Sequence, residues 1–386
     1  MASSQDWSSL PEHVVVKIFT CLTLGDRYNA ALTCRDWLHC FSLPYLWRHF
    51  DYYFYTKSQE RLVKSVQLYG QSMKSVYIEL DQGEAENRDN ACKVLTGLAK
   101  LPHRRLQRIR IKCTGENPLF YVGQEFKEAL TDLFGQVANG QGLSNQLLEV
   151  DLSGLPVAYD DSVFDVLSQN HPNLERLNIL NSILVCKVTP QCVLRLVTRC
   201  RKLKEIQVFY SSMSEDILEA FTEGNRIPLQ HLSMKCRREE KYGRDLSDDM
   251  WKRVVQALPD LHVTLAFDNT CPLHKVSQIM NPQIPVSVLR LETFTRIYEE
   301  VNLATDFYHD SLEKLVLQTR PSAELNKALL RLSSCCPKLR ALHVFCVLDR
   351  ACIEKIHADH PILKEKGSYT LKDTMEPHPW ISGRDC

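Results

Sequence analysis

One spacing recurs through most of the chain: an apolar residue, two variable residues, a second apolar residue, one variable residue and a third apolar residue. It occurs as LQRIRI from Leu106, LLEVDL from Leu147, LERLNI from Leu174, LKEIQV from Leu203, LQHLSM from Leu229, VSVLRL from Val286, LEKLVL from Leu312 and LRALHV from Leu339. Weaker copies are MKSVYI from Met73 and LHVTLAF from Leu261. Leu147, Leu174, Leu203 and Leu229 lie 27, 29 and 26 residues apart, and Val286, Leu312 and Leu339 lie 26 and 27 apart. The last two apolar positions are two residues apart, which is the strand period, so they share one face while the residue between them points to the other. Between copies run stretches with helical spacing, such as PQCVLRLVTRC (Pro190 to Cys200) and EDILEAF (Glu215 to Phe221). Each unit therefore reads as a strand followed by a helix.

A unit this short cannot bury its apolar face alone, so successive units must stack. The period falls within the range of about 20–29 residues of leucine-rich repeats. It predicts an α/β solenoid with a curved parallel sheet on its inner side. Polar or proline-bearing segments (HPN, CPK, CRK, LPD) end the helices before several strands. Asp81 to Lys100 reads as irregular, and CRREEKYGRDLSDDM (Cys236 to Met250), the most polar interruption, reads as a surface loop.

The head of the chain differs. Pro11 suits a first helical turn, TLGD (Thr23 to Asp26) breaks the pattern, and a second apolar-periodic stretch runs through Tyr28, Ala31 and Leu32 to Trp37 before Pro44. In LPEHVVVKIFTCL, the residues Val14, Ile18 and Leu22 form one stripe that Val15, Val16 and Phe19 widen. The apolar arc spans about 200°, twice what a surface helix needs to pack on one core. A unit of about 45 residues buries little surface by itself, so such a helix can pack one face at home and offer the other to a partner.

In order, the head contains Leu10-Pro11, Ile18-Phe19, Leu24 with Asp26-Arg27, Cys34-Arg35 with Trp37, and Pro44 with Leu46-Trp47. This series resembles the F-box. Followed by leucine-rich repeats, it is similar to the F-box/LRR family of substrate receptors over essentially the whole chain. GENPLF (Gly115 to Phe120), SAELNKAL (Ser322 to Leu329) and EPHPW (Glu376 to Trp380) add to that resemblance. It implies a three-helix F-box at 5–50, repeats at 51–386, and docking to the Skp adaptor of a cullin ubiquitin ligase. The implied contacts are Leu10, Pro11, Val14, Ile18, Phe19, Leu22, Trp37 and Trp47.

Other functions find little support. Lys plus Arg and Asp plus Glu each number 47, so no net charge favours nucleic acid. No basic segment followed by an apolar one opens the chain, and no run approaches the roughly 18 apolar residues of a membrane span, so no membrane partner is expected. The 15 scattered cysteines, with no Asn-x-Ser/Thr acceptor, fit reduced thiols in an intracellular protein, cytoplasmic and/or nuclear. There is no C-x-x-C pair; Cys271 with His274 and Cys352 with His357 lack a second ligand pair, so no metal or cofactor is expected. Cys200, Cys335 and Cys336 read as small packed side chains at repeat junctions, and nothing local marks an activated nucleophile. Glycine-rich phosphate loops are absent from the sequence. No catalytic residue is assigned.

The residues between the buried strand positions should form a strip on the concave face: Arg108, Arg110, Lys112, Arg176, Asn178, Phe209, Lys235, His343 and Phe345. This strip is the candidate substrate surface, and the three cations at its start point to acidic partners. The reading is a non-catalytic substrate receptor. Two alternatives stay open: a repeat scaffold that binds the adaptor without delivering a substrate, and a hydrolase hidden in the repeats.

Overall fold

The computed structural model describes residues 7, 10–115, 123–135, 147–183, 185–242 and 245–374. Two compact units divide the chain, Met1–Val157 and Ala158–Cys386.

The first unit opens with three short helices, α1 (Glu12–Thr20), α2 (Leu24–Ala31) and α3 (Arg35–Phe41). Pro11 stands just outside α1 as its N-cap. TLGD does more than break a pattern: Thr23 caps α2, its hydroxyl accepting the Asp26 N–H at 3.2 Å. The apolar stretch from Tyr28 to Trp37 is two helices, not one. Leu32 ends α2, and Cys34, with φ −154° and ψ 168°, is extended and starts α3 in a new direction. A 3₁₀ turn at Pro44–Trp47 then leads into β1 (His49–Phe54), where Trp47, Phe50 and Tyr52 repeat the six-residue spacing with aromatic residues in the apolar positions.

β1 pairs in parallel with β2 (Ser75–Leu80), β2 with β3 (Arg108–Cys113) and β3 with β4 (Glu149–Gly154). Helices α4 (Lys64–Tyr69), α5 (Ala85–Ala99) and α6 (Gln124–Gly135) lie between the strands in sequence. Alternation holds on every strand: Tyr52 and Phe54, Val76 and Ile78, Ile109 and Ile111, Val150 and Leu152 are buried. The segment from Asp81 to Lys100, expected to be irregular, contains the regular 15-residue α5. Its buried residues Ala91, Val94, Leu95 and Leu98 carry the helical period that the polar run before them hides.

In the second unit α7 (Asp161–Asn170) precedes β5 (Arg176–Asn178). Then come α8 (Pro190–Arg199), β6 (Glu205–Phe209), α9 (Glu215–Phe221), β7 (His231–Cys236), α10 (Asp248–Ala257) and β8 (His262–Phe267). The remainder is α11 (Leu273–Ile279), β9 (Val286–Leu291), α12 (Tyr298–Tyr308), β10 (Lys314–Leu317), α13 (Ala323–Cys335), β11 (Ala341–Val347), α14 (Arg350–Asp359), α15 (Pro361–Lys366) and β12 (Tyr369–Lys372). From β5 to β12 every strand pairs in parallel with its neighbour in sequence. The helices cover the apolar face, α7 on α8, α8 on α9 and α12 on α13. Shared covering of this kind is why no unit needs its own core.

The polar stretch after β7 is not a free surface loop. Arg237 and Glu240 are buried, at 5% and 2% exposure. Arg237 donates to the Ile183 carbonyl and lies 3.7 Å from the Phe209 ring centroid. Glu240 accepts the Ser211 N–H at 3.1 Å. The segment thus ties together the turns that follow β5, β6 and β7, a role that composition cannot reveal. Of the three junction cysteines, Cys200 and Cys336 are buried but Cys335 is exposed, because it occupies the outer side of the last turn of α13.

Candidate functional site

The head divides its apolar residues between two faces. Val15 and Phe19 are wholly buried, whereas Leu10, Val14, Ile18 and Leu22 are half-buried and Pro11 is exposed. Phe19 meets Trp37 edge-on at 5.6 Å and Phe41 at 6.3 Å, and Phe41 meets Trp47 at 5.1 Å. Trp47 is 2% exposed and its indole N–H donates to the Phe41 carbonyl at 2.8 Å. Phe19 and Trp47 are therefore core of the head and, unlike the half-buried residues, present almost no surface to a partner, which corrects the expectation of exposed contacts for both. Trp37 is half-buried, and its indole N–H donates to the Trp7 carbonyl at 3.2 Å.

Arg27 is a positioning residue that spacing alone does not single out. Its guanidinium donates to the carbonyls of Phe19 at 3.0 Å, Leu46 at 3.3 Å and Leu22 at 3.4 Å. It gives the Phe19 carbonyl, which also accepts the Leu22 N–H, a second donor and fixes the end of α1 to the Pro44–Trp47 turn. Burial lowers its pKa. Tyr28, Leu32, Leu38 and Tyr45 are exposed on the same unit.

On the strands of the first unit the outward residues fall into rows. His49, Ser75, Arg108 and Glu149 form one, and Asp51, Tyr77, Arg110 and Asp151 the next. Arg110 is exposed, Arg108 and Lys112 are half-buried, and the intervening Ile109 and Ile111 are buried. Each cation has a neighbour: Arg110 Nε lies 3.3 Å from Asp151, Lys112 Nζ 3.7 Å from Glu79, and Arg108 3.5 Å from His49 Nδ1. Burial works against the Glu79 carboxylate, yet hydrogen bonds from the phenols of Tyr55 and Tyr77, with the Lys112 charge, hold it below the usual range. The three cations are thus offset by Asp51, Glu79, Glu149 and Asp151. Carboxylates are at least as numerous as cations on these rows, and the expectation of a simply acidic partner does not follow from them. Tyr53, Tyr55 and Tyr77 flank it, with ring centroids 6.4 Å (Tyr53 to Tyr55) and 6.2 Å (Tyr53 to Tyr77) apart.

In the second unit Arg176, Asn178, Lys235 and Phe345 are half-buried on the outward face. Phe209 is not on offer: it is 2% exposed beneath Arg237. His343 is 8% exposed, because β12 covers it and Thr370 Oγ1 sits 3.0 Å from its Nδ1. Both are corrected to structural roles. Lys235 lies 3.9 Å from Asp268, and burial lowers its pKa.

Burial pushes the thiols of Cys92, Cys113, Cys192, Cys200 and Cys336 up to about 12, so none of these is a thiolate near neutral pH. Among the described residues no group of three or more His, Cys, Asp or Glu is arranged to hold a metal, and no helix is long and apolar enough to cross a membrane. Of the further segments, SAELNKAL caps and opens α13, while residues 116–120 and 376–380 lie outside the described residues.

Three short helices closed by a Pro-x-Leu-Trp turn, followed by parallel strand-and-helix units, define an F-box protein with leucine-rich repeats. A family model described as F-box-like matches residues 7–53. F-box/LRR-repeat protein 8 of Homo sapiens is 31% identical over 373 residues, which cover 96% of this chain and 96% of that protein. F-box/LRR-repeat protein 21 of Mus musculus is 26% identical over 275 residues, covering 68% of this chain and 60% of that one. The chain belongs to the F-box/LRR-repeat family. Among solved structures, that of the Rad7 and Elc1 complex in yeast aligns over 86% of this chain and 74% of that one, with a TM-score of 0.42 and 16% identity.

Proposed function

We propose that this protein is the substrate-recognition subunit of a Skp–cullin–F-box ubiquitin ligase. The observation that carries the reading is the division of α1: Val15 and Phe19 fill the core of the head while Leu10, Val14, Ile18 and Leu22, beside exposed Pro11, stay accessible. An apolar face left open on so small a unit needs a partner. Residues 5–50 serve as the adaptor module and 51–386 as the array that binds the protein to be ubiquitinated, in the cytosol, the nucleus or both. The protein performs no chemistry itself. It holds a target near a conjugating enzyme on the cullin scaffold, which raises effective concentration rather than reactivity.

The tyrosines and cations on β1 to β3 are the substrate surface on this reading. Tyr and Arg are the residue types that dominate binding energy at protein interfaces, and here hydrogen bonds and ion pairs already order them. The test is co-purification of a Skp adaptor with the full chain and with the Leu10→Ala, Pro11→Ala double variant. Loss of the adaptor from a monodisperse double variant with unchanged melting is expected. Undiminished binding overturns the assignment. Adaptor binding with no turnover of any retained protein would instead mark a scaffold.

A further inference from the structure

Among the described residues, Phe294 is the one non-glycine with a positive φ, at 57°. A bulky side chain pays steric strain in that left-handed region, and exposed loops ordinarily place glycine or asparagine there. Burial does not account for it, because Phe294 is 54% exposed. Its backbone is held rather than loose: the Phe294 N–H donates to the Gln318 carbonyl at 2.8 Å, and Thr319 Oγ1 donates to the Thr295 carbonyl at 2.6 Å. Two adjacent connections, β9 to α12 and β10 to α13, are thereby fastened together with an aromatic ring presented outward.

The surroundings give this ring a chemistry. Arg296 and Arg320 are exposed on the same two connections, and neither forms an ion pair among the described residues. Arg290, on the preceding strand, is already paired with Glu292 at 2.6 Å. Glu324, on the first turn of α13, lies near enough to feel Arg296 without bonding to it. Directly after Arg320 begins an open cavity of about 480 Å³, lined by Pro321, Ser322, Ala323, Asn326, Val347 and Asp349. Its volume lies within the roughly 300–1,000 Å³ of binding clefts.

We propose that Phe294, Arg296, Arg320 and this cavity form a docking site for a protein segment with an apolar side chain flanked by carboxylates. The apolar side chain packs on Phe294 and enters the cavity between Pro321, Ala323 and Val347, while the flanking carboxylates meet the two arginines. The site shares no residue with the F-box face or the tyrosine-rich rows, and it stands whether or not those serve as proposed. A strained backbone already held by hydrogen bonds needs no further ordering on binding, which is the kind of use for which strain is retained.

The experiment uses the full chain and three fluorescent 12-residue peptides with one central Phe or Leu flanked by Glu, Lys or Gln. Anisotropy should give binding about tenfold tighter for the Glu-flanked peptide than for the others, lost by about tenfold in Phe294→Gly and reduced in Arg320→Glu. Melting of Phe294→Gly should be unchanged or raised, since glycine accepts the backbone without strain. A lowered melting point, binding unaltered by either substitution, or no binding up to about 1 mM peptide overturns the proposal. Preference for the Lys-flanked peptide also overturns it, since Asp349 rather than the arginines would then choose the partner.

Discussion

Trp47 and Tyr69 stack face to face, their ring centroids 3.6 Å apart and their planes 3° from parallel. The closing tryptophan of the F-box motif is thereby clamped between Phe41 of α3 and Tyr69 of α4, and it stacks again on Phe50 of β1 at 5.6 Å. This one ring joins the helical head to the first strand of the repeats. Its burial gives the closing tryptophan of the motif a structural role.

Replacing Trp47 or Phe19 by alanine removes a ring buried on all sides, and should lower stability by about 3–5 kcal/mol. Adaptor binding should fall only in step with unfolding. Urea unfolding of each variant, set beside adaptor binding at low denaturant, separates this outcome from direct contact. A folded Phe19→Ala that has lost the adaptor would return Phe19 to the interface.

Glu240 predicts a pH dependence. Burial raises its pKa from 4.5 to about 7, against backbone N–H donors and the nearby Arg237, with Glu239 adding to the rise. The folded-state value lies above the unfolded one, so the contribution of Glu240 is full below pH 4.5 and is lost as pH rises through 7. Glu240→Gln keeps an oxygen for the Ser211 N–H and removes the titration. The variant should lack this loss and exceed the parent at pH 8 by up to about 3 kcal/mol. Denaturant titrations at pH 5 and 8 read it directly; identical pH slopes for parent and variant would refute it.

Gly154 faces Lys112 where the β3–β4 register shifts. A Cβ there would stand 2.7 Å from the Ile111 carbonyl oxygen and 2.8 Å from Lys112 Cα. Both are backbone atoms, so the strands must part. Gly154→Ala should cost about 1–3 kcal/mol, with hydrogen-exchange protection lost first at β3 and β4. Gly224, around which a Cβ meets nothing, is the matched control and should tolerate alanine.

The repeats were legible because burial on one strand face imposes a strict two-residue period, which the spacing from Leu106 to Leu339 displays openly. The F-box was legible from its ordered motif. Two features stayed hidden for opposite reasons. The helix α5 was masked by polar residues on its outer face, and Asn87 and Asn90, which point inward, do not look like core. Phe209 and His343 obeyed the outward alternation of their strands yet are covered from elsewhere, by Arg237 and by β12. Alternation assigns a side to each residue; it does not tell what later segments lay over that side.

The outward row on β3 allows the register itself to be tested. Arg110 is exposed, and its bond to Asp151 runs along the surface, where such pairs contribute about 0–1 kcal/mol. Arg110→Gln should therefore leave melting nearly unchanged while weakening capture of any substrate held on the tyrosine-rich rows. Reversal to glutamate is the poorer test, because it would face Asp151 with a like charge. Ile109 is 1% exposed on the opposite face of the same strand, and Ile109→Asp should unfold the first unit by burying an unpaired charge. Thermal melting and retained partners are measured for the two variants side by side. A one-residue slip exchanges the two faces of a strand, so an early-melting Arg110→Gln beside a silent Ile109→Asp would reverse the register. If Arg110→Gln is stable and loses no partner while Ile109→Asp unfolds, the register stands and Arg110 contributes nothing to substrate capture.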